Sequence, residues 1–469
     1  MNLKKTLFAL ITLWLPLAAI AQEKMNVCFD EGVELVCAVW RLAGAKEYNR
    51  CTVPAYAESL DRQCGGFKSH QAVELARRYH RNGTGYDAVA EFGTMLSLHE
   101  GRVEMNPAKA NTLDYRWSDD MIQEFLPALN DFYRESGFHK WYVGTDSIRT
   151  AALTAFQRVA DQVETEWFDT FFHHSEAAFH ITLSLLVGPN NYGISSRLTN
   201  GQVLLCPVIG SAIYDEGEIR FDCQTVLPMV IHEFCHAYCN PLMDAHYAEM
   251  EPTLTQVYTY SKGILSSQAY TTPKIMMYET LVRASVIRYL QQHPLEGVPD
   301  LQELIKQEEA RGFTLTETTE RALADYERHE ALSGELSSFM PELIQAINGF
   351  SIKRYAKKQR AEKKAADKQR VHYRCNIRNG AKRVAVGDIT LAITFDAPMQ
   401  ATIAIGETDQ ELPEYKGHTW SEDQRTLSIR FTTQPATTYG LRIIGDDFIS
   451  LEGRPAVESE IHFTTRKAD

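Results

Sequence analysis

The sequence has no excess of cations: 48 lysines and arginines stand against 61 aspartates and glutamates, a formal net charge of −13. Such a balance offers no cations to displace the counterions of a phosphate backbone, so nucleic acid is excluded as a partner. The charge mainly favours solubility. A hydrophobic run long enough to cross a bilayer is also lacking at the start of the chain. The apolar stretch from Thr6 to Ile20 is too short, and no stop-transfer pattern follows it. With Lys4-Lys5 before it and the small-x-small site Ala19-Ile20-Ala21 after it, residues 1–21 read as a secretory signal peptide cleaved after Ala21. Met25-Asn26-Val27 before Cys28 lacks the leucine and small residues of a lipoprotein cleavage site. The expectation is a soluble secreted or periplasmic protein without a membrane span. An even cysteine count is missing too. Nine cysteines remain, and in an oxidising compartment some should pair, with at least one left over. Cys51 with Cys64 and Cys206 with Cys223 are the nearest non-helical pairs, although sequence does not give connectivity.

What is present is a chain too long for one core, which predicts two or three domains. Helical signals dominate 22–352. Ser69–Arg81, Asp119–Arg134 and Ser147–Phe172 carry helical patterning. Ala177–Val187 reads as a strand ending in the turn Gly188-Pro189-Asn190-Asn191. Gln202–Ile213 and Glu218–Cys223 are β-rich, so a small sheet or hairpin is expected before the next helix. Residues 353–370 hold nine Lys/Arg and two acids without an apolar stripe, the composition of a solvated basic linker helix. From 371 to 469 the pattern turns to short alternating strands, such as Ile389, Leu391, Ile393 and Phe395, the mark of an all-β sandwich.

The chemistry concentrates in Val230-Ile231-His232-Glu233-Phe234-Cys235-His236-Ala237-Tyr238. On a helix, His232 and His236 share one face a turn apart and can bind one cation. Glu233 projects about 100° round the axis, where it reaches a water on that cation without ligating it. H-E-x-x-H is therefore two nitrogen ligands and a general base, the pattern of a zinc hydrolase. Pro241 sets the expected end of the helix.

A catalytic zinc needs a third protein ligand and an open position. Asp244, His246, Glu249, Glu251 and Glu279 are the candidates. Cys239 and Leu242 stand where a metzincin needs Gly and His, so that class is excluded. Glu279 is preferred, because it lies on the apolar stripe of Ile275, Tyr278, Val282, Val286 and Tyr289, and a core-facing carboxylate must be paired or bind metal. The bland reading is a Glu279–Arg283 helix pair. Otherwise Arg283 orients Glu279 or binds a substrate carboxylate. Cys239, near the face of the histidines, is a rival ligand that would close the site and make it structural. Tyr278, Arg283, His246 and Tyr247 are the candidates for stabilising an oxyanion.

A second helix supplying Glu279 after His232-Glu233-Phe234-Cys235-His236 resembles the gluzincin metallopeptidases. With Asn240-Pro241, Asn191-Tyr192-Gly193 and Arg283-Ala284, the stretch from about 30 to 350 is also similar to an uncharacterised family of secreted bacterial proteins known only as a domain of unknown function. The resemblance implies His232, His236 and Glu279 as zinc ligands and Glu233 as base. The 43 residues from His236 to Glu279 exceed the spacing of the best-known gluzincins and require a helical insertion. Ile393-Thr394-Phe395-Asp396-Ala397-Pro398-Met399, Trp420, Thr438-Tyr439-Gly440-Leu441 and His462-Phe463-Thr464-Thr465 resemble a bacterial Ig-like domain of cell-surface proteins, which implies a spacer or a contact with cell surface or glycan. The fold expected is α+β: a mainly helical zincin-like domain with a small sheet before the zinc helix, then an Ig-like sandwich. The activity expected is that of a secreted zinc endopeptidase acting on peptide or protein. The other classes are a non-peptidase zinc hydrolase and a surface binding protein whose zinc site is structural or vestigial.

Overall fold

Asp30 accepts hydrogen bonds from the N–H groups of Gly32 and Val33 and starts helix α1 (Glu31–Ala43), which Gly44 ends in the left-handed region at φ 88°. The computed structural model in which this cap is seen describes residues 25–110, 113–173 and 177–467. The proposed signal peptide lies outside the described residues. Helices fill the N-terminal half and sheets dominate the C-terminal region. The chain divides into two compact units, one ending at Phe350 and one beginning at Ser351.

In the first unit, α1 is followed by α2 (Pro54–Cys64), α3 (Gln71–Arg81), α4 (Asp87–Thr94), α5 (Asp119–Glu135), α6 (Phe138–Gly144), α7 (Asp146–Ala160) and α8 (Glu166–Phe172). The expected single helix over Ser147–Phe172 is thus two. The break is held from outside: the Tyr289 hydroxyl accepts from the Glu164 N–H at 2.9 Å and donates to the Gln162 carbonyl. Strand β1 (Asn26–Phe29) carries no periodicity that singles it out. It pairs in parallel with a strand some 150 residues on; that partner and the others follow in chain order after the antiparallel hairpin of β2 (Leu96–His99) and β3 (Arg102–Met105).

They are β4 (Ala177–Leu183), β5 (Asn191–Tyr192), β6 (Ser195–Arg197), β7 (Val203–Leu205) and β8 (Val208–Ile209). β4 is parallel to β1 on one side and to β7 and β8 on the other, and its inner residues Ile181 and Leu183 are fully buried. β5 and β6 form one interrupted strand antiparallel to β8 and β7. That interrupted strand is the sheet's outer edge. A short hairpin, β9 (Ile213–Asp215) with β10 (Glu218–Arg220), leads into the next helix.

Helix α9 (Cys223–Ser267) starts at Asp222, whose side chain accepts from the Gln224 N–H, and runs for 45 residues. The expected stop at Pro241 is overturned: Pro228, Pro241 and Pro252 all lie inside it. An interior proline costs about 3 kcal/mol. Beyond Pro241 the helix buries Met243, Met250, Leu254, Val257, Tyr258 and Leu265. At roughly 1.5–3 kcal/mol for each buried side chain, packing outweighs the prolines. Much of that burial is against α10 (Pro273–Gln292), which begins at a Thr272 cap with Pro273 in its first turn. α11 (Leu301–Ala310), α12 (Thr316–Ser333) and α13 (Met340–Asn348) complete the unit.

The expected disulfides are absent, and all nine cysteines are free. Tertiary packing gives the thiols other neighbours. The Cys51 thiol donates to the Val53 carbonyl, Cys206 lies beside the Ser196 hydroxyl, and Cys223 Sγ accepts from Gln162.

The second unit opens with α14 (Ile352–Asp367), capped by Ser351, in which Tyr355 is the buried residue among basic exposed ones. Then come β11 (Tyr373–Cys375), β12 (Ala381–Val384), β13 (Gly387–Phe395), β14 (Ile405–Gly406), β15 (Glu414–Trp420), β16 (Thr426–Thr433), β17 (Thr438–Ile443) and β18 (Ser459–Thr465). They form two four-stranded sheets, β11-β13-β16-β15 and β12-β18-β17-β14. Both sheets contribute to one core, where Leu391, Ile393, Ile429, Leu441 and Ile461 meet, so strand alternation places the apolar face as the sequence predicts.

Candidate metal centre

Val230, Ile231 and Phe234 are fully buried and seat the middle of α9 against the core. That orientation turns His232 and His236 together, and α10 brings Glu279 up to them. The two imidazole Nε2 atoms are 3.1 Å apart. Glu279 places one carboxylate oxygen 3.5 Å from His232 Nε2 and the other 3.5 Å from His236 Nε2. Around a tetrahedral cation with bonds of about 2.0–2.1 Å, neighbouring donors stand roughly 3.3 Å apart. The three side chains therefore have the spacing of ligands. Among the described residues they are the one group of His, Cys, Asp or Glu donors gathered within 4.8 Å.

Two of the three donors are held by a partner outside the cluster. Asn240 Oδ1 lies 3.2 Å from His236 Nδ1, which fixes that ring with Nε2 towards the cluster. The Arg283 guanidinium donates to Glu279 at 2.9 Å, to Glu308 at 2.8 Å and to the Tyr270 hydroxyl at 3.1 Å. Its charge also lies over the Phe313 ring, 4.3 Å from the centroid. Burial, then the proximity of His236, Arg283 and Arg311, holds the His232 imidazole well below its usual pKa. It is thereby kept neutral, the form that binds metal.

Glu233 is not in the cluster. Its side chain is half-buried, and desolvation there pushes its carboxyl up to about 7. The carboxylate receives the backbone N–H of Gly193, between β5 and β6. A Cβ at Gly193 would stand 2.9 Å from both the carbonyl oxygen and Oε2 of Glu233, so a side chain there must push the edge strand off the helix.

A cavity of about 850 Å³ opens beside His232 and Glu233, with Tyr270, Arg283 and Arg311 also in its wall. Other expected residues lie elsewhere. Tyr278 donates to Asp244, which also pairs with Lys274; His246 pairs with Glu249; Tyr247 lies near Lys274. Cys239 is fully buried with its thiol 3.8 Å from the Ser285 hydroxyl, and burial pushes it up to about 12. It faces α10 as a small core residue, because three residues from His236 is not quite one turn.

Sequence reasoning missed Asn240, Gly193, Tyr270 and Glu308 as site residues. Asn240 stands four after His236 and was legible once the helix is carried to Pro241. Gly193, Tyr270 and Glu308 come from other elements, and no spacing relates them to the motif.

Residues 82–346 match the family model described as Domain of unknown function (DUF4932). That span contains His232, Glu233, His236, Glu279, Arg283 and Glu308. No curated protein matches. Among solved structures, surface layer protein SbsC, domains 1-6, is 14% identical, covering 54% of this chain and 35% of that one, with a TM-score of 0.17. The N-terminal part of the same bacterial S-layer protein is 14% identical over 49% of this chain and 58% of that one, also at 0.17. The chain thus covers less than two thirds of these structures.

Proposed function

The chain belongs to the DUF4932 family, whose description names no activity, and from the geometry of its site we propose that it is a secreted zinc-dependent metallopeptidase of gluzincin-like construction. The carrying observation is the trio His232, His236 and Glu279, with donors 3.1–3.5 Å apart, set beside the half-buried carboxyl of Glu233, which is not a ligand. A structural zinc site has no use for that carboxylate or for the adjoining cavity. Closure by Cys239 is disfavoured, since its thiol is buried against Ser285.

His232, His236 and Glu279 would hold the metal, with Asn240 orienting His236 and Arg283 orienting Glu279. Zinc supplies Lewis acidity at the scissile carbonyl and the attacking water when bound. Glu233 would accept a proton from the attacking water at its carboxylate and return it to the leaving amine. The Tyr270 hydroxyl, fixed by Arg283, is the donor best placed to meet developing negative charge, in place of Tyr278, His246 or Tyr247. The β5–β6 edge, whose Gly193 touches Glu233, offers main-chain groups to an extended peptide. The helical unit with its edge strand above the metal helix supports a zincin-like fold, and the two-sheet unit supports an Ig-like module that attaches or spaces the enzyme.

The test is metal analysis together with peptide-library cleavage. Wild type should carry one zinc per chain and cut peptides, and Glu233→Gln should keep the zinc and lose the cutting. A folded protein that takes up no zinc would overturn the reading.

A further inference from the structure

The cavity beside Glu233 is chemically two-sided. One wall is apolar: Met229 of α9, Val286, Ile287 and Leu290 of α10, Leu304 of α11 and Val298 of the preceding turn. The other end is ionic. Glu308 is shared between Arg283 at 2.8 Å and Arg311 at 3.3 Å, and Arg283 also pairs with Glu279. When Glu279 is committed to the metal, its charge is spent there. The remaining chain Arg283–Glu308–Arg311 then has two cations to one carboxylate. Arg311 is half-exposed, and among the described residues it pairs with Glu308 through Nη1, so it has donors to spare. Residues of α11 and of the turn at 297–299 also line the cavity, so the apolar wall and the cations of Arg283 and Arg311 face one space beside His232 and Glu233.

We infer that this pocket takes the C-terminal end of a peptide: a bulky apolar side chain against the α10 wall and the free α-carboxylate at Arg311. The inference rests on the hydrolase reading and narrows it, from the internal cleavage suggested by the motif to removal of one or two residues from a free C-terminus. The balance is that of simple hydrolysis. The acyl carbon–nitrogen bond breaks, water supplies hydroxyl to the acyl carbon, and its proton passes through Glu233 to the departing amine. A volume of about 850 Å³ suits such a fragment. Arg311 is a specificity residue in this scheme, not a catalytic one.

The probes are N-acetylated tetrapeptides ending in leucine or glycine, each as free acid and as C-terminal amide. For wild type, kcat/KM should favour the leucine acid over its amide by about tenfold or more, and over the glycine acid by a similar factor. Arg311→Gln should erase the difference between acid and amide, mainly through KM, with zinc content unchanged. Because Arg311 is half-exposed, that variant should fold. In parallel, calorimetric binding of the same peptides to Glu233→Gln protein reads recognition without turnover. Equal cleavage of acid and amide by wild type overturns the inference and leaves the hydrolase reading standing. If wild type cuts none of these peptides, equal binding of acid and amide to Glu233→Gln overturns this inference, while the hydrolase reading is decided separately by zinc content and peptide-library cleavage.

Discussion

Glu233 stands beside the cluster and Glu279 within it; the proposed function gives them opposite jobs, and mutation should separate them. Glu233→Gln keeps shape and removes the proton acceptor, so turnover should fall by roughly 10²- to 10⁴-fold with zinc retained. Glu279→Gln should instead weaken zinc affinity, and excess zinc should restore part of the activity; equilibrium dialysis against a chelator series distinguishes the two. His232→Ala should abolish stoichiometric zinc. A third acid gives a pH prediction unconnected with the metal. Glu34 on α1 is fully buried, and burial pushes its carboxyl from 4.5 up to about 7, eased by hydroxyl donors such as Tyr56. The folded protein therefore keeps this proton where the unfolded chain has released it. Stability from the group is full below about pH 4.5 and is lost as pH rises to about 7. At about 1.4 kcal/mol per pH unit the loss is roughly 3 kcal/mol. Denaturant midpoints at pH 5 and pH 8 should differ less in Glu34→Gln than in wild type.

Among the elements, the contact between the sheet edge and α9 is the one that tolerates least. At Gly193 a Cβ meets backbone at 2.9 Å, which a rotamer change cannot relieve. Gly193→Ala should therefore part the edge strand from Glu233, cutting kcat/KM at least tenfold while zinc stays bound, since all three ligands come from helices. Loss of zinc in that variant would mean that the strand, and not helix packing, shapes the cluster. The motif itself was legible: His232, Glu233 and His236 sit on one helix with the separations that helical geometry dictates. Glu279 was legible through its place on an apolar stripe. The continuation of α9 through Pro241 was not, because local sequence records the lost N–H but not the buried face that offsets it.

For the whole molecule, the division between Phe350 and Ser351 has a direct consequence. A fragment ending at Phe350 should fold and bind zinc in the same ratio as the full chain. Trypsin should cut first within Lys353–Arg370, where α14 is charged and mostly exposed. Mass spectrometry of early digests checks the cut, and metal analysis checks the fragment; a fragment that precipitates without zinc would show that the units depend on each other. Among the described residues no helix is long and apolar enough to cross a membrane.

By itself the sequence determined the charge balance, the change from helical to β composition near residue 371, and the motif with a carboxylate on the apolar stripe of a later helix, because each depends on periodicity or composition over a short span. Tertiary structure alone decided which distant groups meet. It paired β1 with β4, placed Gly193 on Glu233, joined the Tyr270 hydroxyl to Arg283, turned Cys239 to Ser285, and left the cysteines unpaired. These are contacts between residues far apart in the chain, and their energies come from burial and complementary shape, which no local spacing encodes.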